Sequence, residues 1–245
     1  MRATEHAPRR PCRLLERRHG LADIVERRAV VLVEGPRVYV GRPEADDLRI
    51  GAMTELGNGL SDAGHHEDAL SVREAELAMK RRVGAAPESI LCAQSNLATT
   101  YDAIGRHEDS LRMTREVYAG TLKLEGAEHE CTLLEANNYA CSLAQLERYK
   151  EAKSLLRRTI PVARRVHGDG HRLTLGLRKI YAKTLINDES TTLDDFREAV
   201  TTIEDNARVT RRVFGGAHPA TRSVERDLQD ARAALRARET PSGSA

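Results

Sequence analysis

Aromatic side chains are scarce in this chain of 245 residues, which has two Phe, six Tyr and no Trp, 3% in all. Sheet proteins fill their pleated faces with aromatic and β-branched residues, so the shortage argues against a β-sandwich and leaves Leu, Ala, Val and Ile to build the interior. A strong net charge is missing as well. Lys and Arg number 39 against 37 Asp and Glu, a formal charge of +2, which is too near neutral to imply nucleic acid or an anionic membrane as an obligatory partner. No apolar run approaches the roughly 20 residues of a membrane span, and the start lacks the apolar core of a secretory signal. The four cysteines, Cys12, Cys92, Cys131 and Cys141, form no C-x-x-C pair or regular framework. That pattern points to reduced thiols and a cytoplasmic location. Walker-type glycine loops, G-x-S-x-G elbows and H-E-x-x-H helices do not occur. An enzyme would have no nucleophile or cofactor motif to stand on, so no catalytic residue and no cofactor are expected.

What the chain does have is a repeat. Gly64-His65-His66-Glu67-Asp68-Ala69-Leu70 returns 41 residues later as Gly105-Arg106-His107-Glu108-Asp109-Ser110-Leu111, and after 42 more as Glu147-Arg148-Tyr149-Lys150-Glu151-Ala152. A second signature, Gly-x-x-His-x-x-Thr, occurs at Gly126-His129-Thr132, Gly168-His171-Thr174 and Gly215-His218-Thr221, with Gly84-Ala85-Ala86-Pro87 as a worn copy. A fixed period in the range of roughly 20–50 residues marks units that cannot bury their apolar faces alone and must stack on their neighbours.

Each unit reads as two helices. Leu97, Ala98, Tyr101 and Ile104 recur at helical spacing, as Leu56, Gly57, Leu60 and Ala63 do one unit earlier. Gly57, Ala98, Ala140 and Ala182 hold one equivalent small position, suited to close approach of a neighbouring helix. In the third unit Ala152, Leu155, Leu156, Thr159, Ile160, Ala163 and Val166 form an apolar stripe opposite Lys150, Lys153, Arg157, Arg158, Arg164 and Arg165. Pro161 interrupts this helix and is expected to kink it or to require local compensation. From Ala152 to the matching Ala199 is 47 residues, five more than the period, and the insertion is placed in the polar stretch Asn187-Asp188-Glu189-Ser190-Thr191-Thr192.

These units set the expected organisation. Residues 1–28, with eight Arg against four acids, read as a basic, disordered lead-in. Residues 29–48 read either as a worn first repeat or as a β-hairpin, the helical repeat being favoured because an inter-unit loop is due at Val40-Gly41-Arg42-Pro43. Four repeats are expected over 49–220, a capping helix over 221–238 carrying Val224, Leu228, Ala231 and Leu235 on one stripe, and a flexible tail at 239–245.

Nine histidines invite a metal or acid–base reading. The repeat deflates it: His66 and His107 hold equivalent turn positions, and His129, His171 and His218 each hold the connector. Equivalent positions of a solenoid lie a unit's width apart, too far to share a metal ion, so no metal site is expected. Thr132, Thr174 and Thr221 stand where each next helix begins and are assigned as acceptors for its free N–H groups, with the connector histidines pinning the loop.

The patterns Leu97-Ala98-x-x-Tyr101-x-x-x-Gly105-x-x-x-x-Ser110 and Leu56-Gly57-x-x-Leu60-x-x-x-Gly64-x-x-x-x-Ala69 resemble the tetratricopeptide repeat, whose usual period is about 34 residues. The longer period, the Gly-x-x-His connector and the polar pairs Ser95-Asn96 and Asn137-Asn138 resemble its kinesin-light-chain-like subclass. The likeness covers roughly residues 50–237. Departures are Lys179-Ile180 and Thr54-Glu55 where the subclass has a polar pair, and only His218-Pro219 keeps the usual connector proline. The resemblance implies an all-α, right-handed superhelical solenoid of antiparallel helix pairs, whose first helices line a concave groove for a peptide or helical segment of a partner protein. Removing the packing positions leaves a polar stripe that fits such a groove: Asn58, then Ser95, Asn96, Thr99 and Asp102, then Asn137 and Asn138, then Lys179 and Lys183. Asn offers both donor and acceptor to an extended backbone, and the two lysines suit an acidic ligand residue. The other reading of the stripe is a merely solvated helix face. The function expected is a non-enzymatic interaction scaffold; the alternative is a regulatory or sensor fragment of a larger signalling protein.

Overall fold

A computed structural model describes residues 43–240, with side chains from residue 46. The basic lead-in at 1–28, the hairpin-or-helix alternative for 29–42 and the tail residues 241–245 lie outside the described residues. Among the described residues nine helices follow one another: α1 Pro43–Asp62, α2 His66–Arg82, α3 Pro87–Ala103, α4 His107–Glu125, α5 Glu130–Gln145, α6 Tyr149–His167, α7 Arg172–Asn187, α8 Leu193–Phe214 and α9 Pro219–Glu239. The chain is a solenoid in which each helix packs against the next and the first helices α5 and α7 also touch. The helix expected to open the first repeat at 49 begins already at Pro43.

The two signatures are the two kinds of turn. After each of the first three first helices the chain enters a left-handed residue, Gly64 (φ 82°), Gly105 (φ 79°) and Glu147 (φ 57°). The next N–H then reaches back to the last turn: His65 to the Leu60 carbonyl, Arg106 to Tyr101 and Arg148 to Leu143, at 2.8–2.9 Å. This closes the helix end and needs a residue that tolerates positive φ, which is why two of the three are glycine. The fourth unit has no such residue. There the Thr191 hydroxyl donates to the Leu185 carbonyl, and Asp188 accepts from the Ser190 N–H at 2.9 Å.

The insertion of the fourth unit divides between loop and helix. The turns inside units one to three span residues 63–65, 104–106 and 146–148, three each, whereas that of unit four spans 188–192, five. The remaining three of the five added residues, Leu193, Asp194 and Asp195, extend the N-terminus of α8, because Ala152 is the fourth residue of α6 and Ala199 the seventh of α8. A sequence assignment to the polar stretch alone places the added turn one element too early. Its stabiliser is a capping box: Thr192 Oγ1 accepts from the Asp195 N–H at 3.1 Å, and Asp195 accepts back from the Thr192 N–H. Lys153 on α6 also binds Asp195, and these contacts hold the Asp195 carboxyl at a pKa of about 2.

The interior is the apolar stripe of each helix in contact with its neighbours. One cluster joins Leu111, Leu133, Leu143, Leu155, Leu156 and Leu177 to Phe196, Ile203 and Val224, and a smaller one holds Leu77, Ala93, Leu97 and Tyr101. Pro161 stands inside α6 on its exposed side and the helix continues through it. The basic face of α6 is largely ion-paired: Lys153 with Asp195, Arg157 with Glu198 (3.2 Å), Arg164 with Asp169 (2.7 Å) and Arg165 with Glu128 (2.5 Å). Among the described residues, no helix is long and apolar enough to cross a membrane.

Candidate functional site

The connectors correct one assignment. His129, His171 and His218 are themselves the N-caps of α5, α7 and α9, each Nδ1 accepting from the backbone N–H two residues on, at 3.3, 3.4 and 3.2 Å. The threonines do not accept from free N–H groups. Their hydroxyls donate backward, Thr132 to the Thr121 carbonyl, Thr174 to Ala163 and Thr221 to Gly215, and all three residues are buried. The reason is reach: the connector His is already at the extended position before the helix, while the Thr sits inside its first turn against the preceding second helix.

A cap made by Nδ1 requires that nitrogen to be unprotonated. His171 also stacks on His167 with ring centroids 4.3 Å apart. Burial and the neighbouring His167 lower its pKa from the ordinary 6.5. The unfolded chain therefore takes up the proton first, so the stability from this cap is complete above pH 6.5 and is lost as pH falls below it towards the lower folded value. Thermal melting between about pH 7.5 and 5.5 checks this. The His171→Asn variant, whose side chain caps without titrating, is expected to lose less melting temperature than the wild type over that interval. Equal losses would contradict the assignment.

Along the first helices the structure splits the polar stripe. Ser95 on α3 and Asn138 on α5 meet at one carboxylate, Glu135: the Ser95 hydroxyl lies 2.8 and 3.0 Å from its two oxygens, and Asn138 Nδ2 donates at 3.2 Å. Asn58 on α1 accepts from Arg73 Nη2 at 3.2 Å. Thr99 turns its hydroxyl onto the Ser95 carbonyl. Lys179 on α7 pairs with Asp227 of α9 at 3.2 Å and approaches Ser223 at 3.4 Å. Asn96 and Asn137 are half-buried, and among the described residues neither amide makes a side-chain hydrogen bond. Lys183 is exposed and lines a cavity of about 270 Å³ among α7, α8 and α9 with Ile186, Ile203, Asn206, Val224 and Asp230.

Three important side chains escape a reading of the sequence. Arg73, 5% exposed, reaches from α2 to the Asn96 carbonyl at 2.7 Å and to the Thr100 hydroxyl, and it occupies the space that Gly57 leaves, where an added Cβ would stand 3.1 Å from its Cγ. Asn206 donates to the Leu175 carbonyl from a buried site. Glu135 is the third. The repeat carries a signal for it: positions one period apart are Ala52, Ala93, Glu135 and Leu177, one acid among apolar residues.

No three His, Cys, Asp or Glu side chains among the described residues converge as metal ligands. Residues 93–130 and 136–173 each match the tetratricopeptide repeat model. Over these residues the chain carries tetratricopeptide repeats. Its repeat fold is that of kinesin-light-chain-like proteins. The crystal structure of the Podosopora anserina putative kinesin light chain nearly identical TPR-like repeats is 21% identical, with a TM-score of 0.66 over 78% of this chain and 89% of that one. The crystal structure of BtubC (BKLC) from P. vanneervenii is 16% identical, with a TM-score of 0.65 over 93% of this chain and 97% of that one. At these identities the likeness concerns the fold. No curated protein matches the sequence.

Proposed function

We propose that this repeat protein is a non-enzymatic scaffold that holds a peptide or helical segment of a partner protein along the concave face of its first helices. The observation that carries this reading is the pair Asn96 and Asn137. They stand on adjacent first helices, partly exposed, with amide donors and acceptors that no described residue uses. A half-buried amide without a partner is destabilising unless water or a ligand completes it, and an extended backbone supplies a donor and an acceptor at each residue. Thr99 and Lys183 extend the same surface, while Ser95, Asn138, Asn58 and Lys179 shape it from beneath through their bonds to Glu135, Arg73 and Asp227.

The test is a selection of random peptides of about 12 residues displayed on phage against the whole chain, followed by affinity measurements on the selected peptides. The double variant Asn96→Ala/Asn137→Ala is expected to weaken binding about tenfold, the size of one or two lost hydrogen bonds, with helical circular dichroism unchanged. Lys150→Ala/Arg158→Ala, on the second-helix face, is expected to leave the affinity as it was. The reverse ranking, or no selectable peptide, would remove the groove assignment.

A further inference from the structure

We infer that Glu135 is the anchoring point for a cationic side chain, lysine or arginine, on the segment that the first helices hold. The inference rests on the groove reading above and adds the ligand's chemistry to it.

Its isolation among the buried charges sets Glu135 apart. Five charged side chains are buried among the described residues: Arg73, Glu76, Lys80, Glu135 and Arg178. Glu76 and Lys80 pair with each other at 2.8 Å. Arg178 lies 3.3 Å from Asp205 and 3.6 Å from Asp169. Arg73 feels Glu76 and Asp62 and is bonded to three oxygens. Glu135, 8% exposed, has only Ser95 and Asn138, both neutral, and no described Lys, Arg or His forms an ion pair with it. An isolated buried carboxylate is strongly unfavourable, and a counter-charge or protonation relieves it.

The carboxylate also has acceptor capacity left over. It offers about four lone-pair positions. Ser95 has one hydroxyl hydrogen to share between the two oxygens and Asn138 gives one N–H, so two donor hydrogens serve the group. Both donors are half-buried side chains of the first-helix stripe, so the carboxylate lies directly behind the residues that neighbour Asn96, Thr99 and Asn137. Burial pushes the Glu135 carboxyl up from its usual range, and the two hydrogen bonds offset this only in part. A ligand ammonium or guanidinium would supply both the missing charge and the missing donors. The lysines of the stripe do not fill this role: Lys179 is engaged with Asp227, and Lys183 stands exposed on α7.

The experiment uses the full chain and three pools of peptides, each about nine residues long and built from uncharged residues. The central position is fixed as lysine, acetyl-lysine or norleucine, and binding is read by fluorescence polarisation. The lysine pool is expected to bind the wild type at least about tenfold more tightly than the other two. In Glu135→Gln, which keeps the shape and the bonds to Ser95 and Asn138, that preference is expected to vanish. Equal binding of the three pools to the wild type overturns the inference while leaving the groove reading in place. A lysine preference that survives in Glu135→Gln overturns it too, and no binding by any pool removes the inference together with the groove. The wild-type comparison stands whether or not the variant folds.

Discussion

Phe196→Ala is expected to destabilise the chain by about 3–5 kcal/mol and to loosen its C-terminal end first. The position repeats as His66, His107, Tyr149 and Phe196, the first three at the start of a second helix. Of these, Phe196 alone is wholly buried, at 0% exposure. The end of α9 reaches it: the Arg238 guanidinium stands 4.4 Å from the ring centroid, while Glu239 pairs with Arg197 at 2.8 Å. Truncation removes the ring and the cation's partner together. Hydrogen exchange is the telling measurement. Protection should fall over α8 and α9 while α3–α5 keep theirs, because a solenoid unit feels chiefly its neighbours. Uniform loss of protection would mean that the chain unfolds as a single block.

Leu156→Ala is expected to cost about 2–5 kcal/mol, with a different spatial signature. Leu156 is 0% exposed on α6, and the cluster it belongs to runs from Leu111 on α4 to Ala231 on α9. A cavity there weakens the packing of an internal unit on both sides. Urea unfolding is expected to shift to lower midpoint and to broaden into two steps, with the smaller cluster around Leu97 and Tyr101 no longer coupled to the C-terminal units. A single transition with an unchanged slope would show that the interfaces outweigh the unit's own packing.

Much of this architecture is legible in the sequence because it is local and recurs. A glycine or a tolerant residue after a first helix, a connector histidine before the next, and apolar residues at helical spacing act within a few residues of themselves, and comparison between units separates them from chance. The same comparison misleads where two local roles look alike. His129 and Thr132 both lie at a helix start, and which one caps α5 depends on where the chain turns, a backbone angle that composition does not encode. The five-residue insertion is visible as a number, yet its division between loop and helix depends on the Thr192 and Asp195 capping box and on Lys153 across the interface.

The candidate site is legible only as a set of polar positions. Asn138 and Glu135 stand three residues apart on one helix, a pairing that helical spacing allows, but nothing within one unit sets Ser95, which bonds the same carboxylate, apart from Asn96 and Asn137, whose amides have no described hydrogen-bond partner. The distinction arises because the superhelix sets α3 against α5 and brings Ser95 to Glu135, 40 residues away in sequence. By itself the sequence determined the helix pairs, their turns and the stacking they require, since those follow from short-range sterics and a repeated apolar face. Only the tertiary structure decided which polar groups bond to one another across units, because that depends on the rise and rotation from one unit to the next.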